Sequence, residues 1–109
     1  MKYHKQHDSS PYKDEGFTID IHDVSIFGNL SKTAFKVYLY IRESSFRDAG
    51  VLYFDKKDAK KSIGFRELKS VYNALNELVE LNIIAGTKDS SEFYYNPRYI
   101  NTKKEKLWL

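Results

Sequence analysis

Leu68-Lys69-Ser70-Val71-Tyr72-Asn73-Ala74-Leu75-Asn76-Glu77-Leu78-Val79-Glu80-Leu81-Asn82-Ile83-Ile84 is the stretch on which the fold turns. Leu68, Val71, Leu75, Leu78 and Val79, helped by Ala74 and Leu81, recur at three- and four-residue intervals. That spacing lays one apolar stripe along a helix. Asn82 follows where a helix end needs a residue tolerant of left-handed backbone. Ile83-Ile84-Ala85 and Phe93-Tyr94-Tyr95 are β-prone and flank the polar run Gly86-Thr87-Lys88-Asp89-Ser90-Ser91. Such a pattern predicts a hairpin. Asn96-Pro97 ends its second strand, because proline has no N–H to give to a ladder. The expectation is a long helix over 66–81 followed by a β-hairpin.

Upstream, Ile63-Gly64 reads as a tight turn, with Gly64 free to take positive φ. Asp55 is a candidate N-cap for a short basic helix over 56–62. Val51-Leu52-Tyr53-Phe54 is β-prone, enough for one short strand, after an Asp48-Ala49-Gly50 turn. Ser31 is a candidate cap for a helix over 31–45, in which Leu30, Ala34, Val37, Tyr38 and Ile41 keep helical spacing. Phe27-Gly28-Asn29-Leu30 reads as a turn, and Phe17-Thr18-Ile19-Asp20-Ile21 alternates as a short strand. Residues 1–16 are polar and without period, a flexible arm. The division is an arm over 1–16, a domain over 17–100 and a basic tail with an apolar end over 101–109.

The 109 residues suit a single domain. A hydrophobic share of 41% and an aromatic share of 16% exclude global disorder. There is no cysteine, hence no disulfide framework and no thiolate site. No secretory leader and no membrane-spanning run is apparent, so the expected place is the cytoplasm and no membrane partner is expected. The net charge is only +3, but it is unevenly distributed. Residues 1–55 carry seven Lys/Arg against eight Asp/Glu, and residues 56–109 carry eleven against seven. The excess falls in 56–72, where Lys56, Lys57, Lys60, Lys61, Arg66 and Lys69 face only Asp58 and Glu67. A local basic cluster attracts a polyanion better than the same charge spread out.

The order helix, strand, short helix, turn, long helix, hairpin is an α+β arrangement. Ser70-Val71, Ala74-Leu75, Leu78 and Leu81-Asn82-Ile83-Ile84 resemble the recognition-helix-to-wing stretch of bacterial winged helix-turn-helix DNA-binding families. The wider stretch from about 30 to 100 follows the order of those families. Tyr94-Tyr95-Asn96-Pro97-Arg98-Tyr99-Ile100 is similar to the strand exit of small Gram-positive plasmid replication proteins of the RepL type. The apolar-Phe-Lys-Gly continuation of those proteins is absent. The resemblance implies a winged helix-turn-helix, three helices with a small sheet whose hairpin is the wing. It implies binding to double-stranded DNA, in transcription regulation or in the replication or transfer of a plasmid or other mobile element.

The residue chemistry points the same way. A major groove admits one α-helix and offers donors and acceptors on base edges. Opposite the apolar stripe stand Arg66, Lys69, Ser70, Asn73 and Asn76, with Tyr72 beside them. Arginine pairs with guanine and asparagine with adenine through two hydrogen bonds. Lys56, Lys57, Lys60 and Lys61 are placed to approach phosphates, and Lys88 and Arg98 to reach backbone or minor groove. Against this stands the ordinary reading of such a face as merely solvated. The tyrosine content and the apolar Leu107-Trp108-Leu109 end support a different reading, a winged-helix protein-interaction module without DNA binding. That end is read either as frayed or as an anchor on the first helix or on a second copy, which would make a homodimer.

No catalytic constellation is apparent: there is no Ser-His-Asp spacing, Gly-rich phosphate loop or zinc motif. His4, His7 and Asp8 sit in the polar arm and are not expected to hold a metal. The chain is therefore expected not to be an enzyme and to need no cofactor. Nothing beyond the hairpin is long enough for an effector domain, so no small-molecule effector is expected.

Overall fold

A computed structural model of the chain describes residues 5–12, 28–43, 46–47, 50–97 and 99–100. The Phe17–Ile21 segment, the Leu107-Trp108-Leu109 end and Arg98 lie outside the described residues. The chain runs α1 (Lys32–Arg42), β1 (Phe46–Arg47), β2 (Val51–Tyr53), α2 (Lys56–Ile63), α3 (Leu68–Glu80), β3 (Ile84–Gly86) and β4 (Glu92–Tyr95). This is an α+β domain, with three helices among the described residues and an antiparallel sheet in the order β1-β2-β4-β3.

Local chemistry sets most boundaries. The Ser31 hydroxyl accepts from the Ala34 amide at 3.0 Å and starts α1. The Asp55 carboxylate accepts from the Asp58 amide at 3.0 Å and starts α2. Each satisfies an amide that has no partner inside its helix. Gly64, at φ 94°, ends α2 in left-handed geometry that a side chain would strain. Asn82 takes φ 63° after α3, as its short polar side chain allows.

Three expectations are corrected. The helix expected over 66–81 begins at Leu68, with Glu67 at its cap position making no side-chain capping bond. Arg66 therefore stands in the turn. A strand the sequence did not announce, β1, pairs with β2 through Phe46↔Leu52 and Arg47↔Val51. Two residues are too few for a period to register. Finally, part of the segment read as a flexible arm is laid on the sheet. Gln6 makes a parallel bridge to Gly86 on β3, and the His7 amide donates to the Gly86 carbonyl at 3.0 Å. Gln6 and His7 thereby pair with the β3 edge at Gly86, where backbone groups would otherwise be open to another strand.

The core lies between the helices and the sheet. α1 gives Ala34, Val37, Tyr38 and Ile41, while α3 gives Val71, Ala74, Leu75 and Leu78, all buried. α2 adds only Ala59. From the sheet side come Leu52, Phe54, Ile83, Ile84 and Phe93. Phe54 sets its ring edge-on to Tyr40 at 5.4 Å and to Phe93 at 6.2 Å. Past the hairpin, the Tyr38 hydroxyl donates to the Tyr99 carbonyl at 2.6 Å in the buried interior. Along β4, Phe93 and Tyr94 are both buried and Tyr95 is half-buried, so this strand is covered on both faces at its centre.

A polar tie fixes α1 against α3. Glu77 on α3 accepts from the Ser31 amide at 2.7 Å and from the Ser31 hydroxyl at 2.8 Å. The residue that caps α1 is thus itself held by the neighbouring helix.

Candidate nucleic-acid interface

α2, the Gly64 turn and the start of α3 form one concave surface. Lys57, Lys60, Lys61, Gly64, Phe65 and Leu68 line a depression of about 650 Å³. No carboxylate is among its lining residues. Asp58, the acidic residue of α2, is used elsewhere: it accepts from the Tyr40 hydroxyl at 2.5 Å. Three like charges held close together in water repel one another, and a polyanion relieves that repulsion. Gly64 and Phe65 were not read as site residues. The lysine spacing alone showed the basic face, whereas its concavity depends on how the turn folds back.

The outward face of α3 divides by charge. Lys69 and Asn73 are exposed four residues apart and share one side of α3, while Arg66 is exposed in the turn before it. Ser70, Tyr72 and Asn76 are half-buried, and Asn76 already has an interaction within the chain. Glu80 is exposed further along the same face, and Glu77 is engaged by Ser31. The first half of the helix therefore carries one cation, Lys69, and an amide, with Arg66 and the exposed Glu67 carboxylate just before it, and the second half carries acids. An anion meeting α3 is favoured at its N-terminal end, where the helix dipole adds the same sign.

Lys56 differs from the other lysines. Its Nζ donates to the Ser90 carbonyl in the hairpin turn. The same ammonium lies 5.8 Å from the Tyr72 ring centroid and 5.8 Å from the Phe93 ring centroid. Both distances are within cation–π range. Partial burial pushes its amine below the ordinary lysine value, against a smaller opposing effect of the Asp89 carboxylate. Lys56, expected to approach phosphates, is already engaged by a carbonyl and two rings within the chain. Tyr72 is likewise committed on one side, by the Lys56 ammonium.

The hairpin turn is compact. The Thr87 hydroxyl lies 2.9 Å from the Asp89 carbonyl and accepts from the Asp89 amide at 2.9 Å. The Asp89 carboxylate accepts from the Ser91 amide at 2.9 Å. Phe54, following β2, donates its amide to the Ser91 carbonyl at 2.7 Å. Lys88 projects from this turn with its side chain 77% exposed and pairs with Asp8 at 2.8 Å. A pair so open to water is worth little and leaves the cation accessible. Arg98 lies outside the described residues, so its placement beside the hairpin is not described.

Among the described residues no group of three His, Cys, Asp or Glu is gathered as a metal site would require. No helix among them is long and apolar enough to cross a membrane. No family model matches the chain, and no curated protein or solved structure matches it.

Proposed function

We propose that this chain is a winged-helix domain that binds double-stranded DNA through α2, the Gly64 turn and the first half of α3. The observation that carries the reading is the carboxylate-free depression of Lys57, Lys60 and Lys61 beside the exposed Arg66, Lys69 and Asn73. In this reading α2 and α3 are the helix-turn-helix pair, and the β3–β4 hairpin is the wing. Lys57, Lys60 and Lys61 meet phosphates and fix register. Arg66 and Asn73 reach base edges, where bidentate pairing discriminates. Lys69 and Ser70 flank them, and Lys88 serves from the wing. The domain works as a transcription regulator or as a replication or transfer accessory of a plasmid or other mobile element. It is not an enzyme and uses no cofactor.

The test is selection of bound duplexes from a random pool, followed by a salt titration on the selected site. Log affinity falls steeply and linearly with log salt if phosphates carry the binding. A palindromic product indicates a homodimer reading two half-sites. Absence of binding to every duplex overturns the proposal.

One observation favours a second reading, a protein-interaction module. Phe35 and Leu39 on α1 are 40% and 44% exposed and lie one turn apart. A stoichiometric protein complex that is lost on Leu39→Asp, together with no duplex binding, supports that reading over the first.

A further inference from the structure

Lys56 lies at the junction of three elements that the proposed interface needs in fixed relation. It begins α2, its ammonium faces Tyr72 of α3 and Phe93 of β4, and it holds the Ser90 carbonyl of the wing turn. We propose that Lys56 is a positioning residue: it joins the wing turn to α2 and α3 as one rigid body, and so sets where Lys88 stands relative to Arg66 and Asn73. The inference rests on the nucleic-acid reading for its consequence in binding, but not for its mechanical content.

The chemistry of the contact supports this role. The wing turn is satisfied within itself by Thr87 and Asp89, which fixes its shape but not its position. Position comes from outside: from the pairing of Glu92 with Tyr53, from the Phe54 amide on Ser91, from the water-exposed Lys88–Asp8 pair and from Lys56 on Ser90. Phe54 anchors the turn to the sheet. Lys56 is the contact that reaches across to α3, through Tyr72. An ammonium suits this task because its three donors are not directional towards one partner. It donates to a carbonyl on one side and faces two rings on others. Its four-carbon stem adds apolar contact beneath. The titratable and charged groups near this contact are Tyr72 and Asp89.

Two readouts test it. In the free protein, amide hydrogen exchange at Asp89, Ser91 and Glu92 reports the wing turn. Lys56→Met, which keeps the stem and removes the charge, raises those rates about tenfold, and Lys56→Arg restores most of the protection. Lys57→Met leaves them unchanged. Should Lys56→Met fail to fold, Tyr72→Leu removes one ring face and gives a smaller increase at the same amides. On the selected duplex, Lys56→Met lowers affinity about fivefold, and the loss shrinks towards none in a Lys88→Ala background. A residue that acts through another is non-additive with it. The proposal is overturned if Lys56→Met leaves wing exchange unchanged. It is equally overturned if the salt slope drops by about 0.9 with full additivity to Lys88→Ala, as a direct phosphate contact demands. If no duplex binds the unaltered chain, the nucleic-acid reading fails, and the exchange measurement still decides whether Lys56 holds the wing.

Discussion

Replacing Lys57, Lys60 and Lys61 together by glutamine removes the charge of the depression while keeping good helix formers on α2. None of the three is buried, so the core is untouched. Each lysine that neutralises one phosphate contributes about 0.9 to the slope of log affinity against log salt. The triple variant should therefore lose about 2.7 from that slope if all three meet the backbone. Between 1 M and 0.1 M salt, the gap between the parent chain and the variant then widens by about 2.7 decades, or about 3.7 kcal/mol. Fluorescence anisotropy on the selected duplex over a salt series measures it, and a thermal melt of each protein guards against a folding effect. Single variants give about 0.9 each, and a lysine that gives none does not touch a phosphate. Parallel lines for the parent and triple variants, whatever their vertical offset, would show that this surface makes no ionic contact with the backbone.

Three further outcomes follow from the geometry. Asn73→Ala or Arg66→Ala should cost about 1–3 kcal/mol of discrimination at one base pair. Competition between the selected site and single-base variants measures it, and equal losses on selected and random duplexes remove these residues from the base-reading role. Tyr38→Phe leaves the Tyr99 carbonyl without its buried donor and should cost about 1–3 kcal/mol, read as a lower urea midpoint at unchanged slope. Alkaline pH should destabilise the domain. Burial pushes the Tyr38 hydroxyl above its ordinary 10.0, so the folded chain holds a proton that the unfolded chain releases. That contribution is complete below pH 10.0 and is lost as pH climbs through the raised folded value, by up to about 1.4 kcal/mol per unit. Burial raises Tyr12 and Tyr40 in the same direction, with the Asp58 hydrogen bond adding to Tyr40. Lys56 opposes them, since its lowered amine sheds its proton first in the folded state. Urea midpoints between about pH 10 and 12 should fall for the parent chain and fall less steeply for Tyr38→Phe.

What was legible in the sequence was what neighbours in the chain decide. Ser31 and Asp55 cap the helices that follow them, and Gly64 and Asn82 end the helices before them, because each acts within four residues of itself. The stripe on α3 was legible for the same reason, since a helix repeats locally. What was not legible is decided by partners far along the chain. Residues 5–12 have no hydrophobic period because their hold on β3 runs through the backbone, from the His7 amide to the Gly86 carbonyl. Glu77 is held by Ser31, 46 residues away, a partner that no local pattern names.

The same limit governs the candidate interface. Lys56 and Lys57 are adjacent and chemically identical, yet about 100° of helical rotation separates them. That rotation sends one ammonium between Tyr72 and Phe93 and the other into the open depression. A charge count over 56–72 credits both equally with phosphate binding, whereas the geometry engages Lys56 within the chain and sets Lys57, Lys60 and Lys61 around one depression. The acidic second half of α3 narrows the surface further. On the proposed reading, the Glu80 carboxylate disfavours a phosphate backbone at the far end of α3, which leaves the turn and first half, with Arg66, Lys69 and Asn73, as the side that meets a duplex. The side of α3 that suits DNA is therefore set by carboxylates as much as by lysines. Glu80→Gln should weaken that restriction and raise affinity for random duplex more than for the selected site.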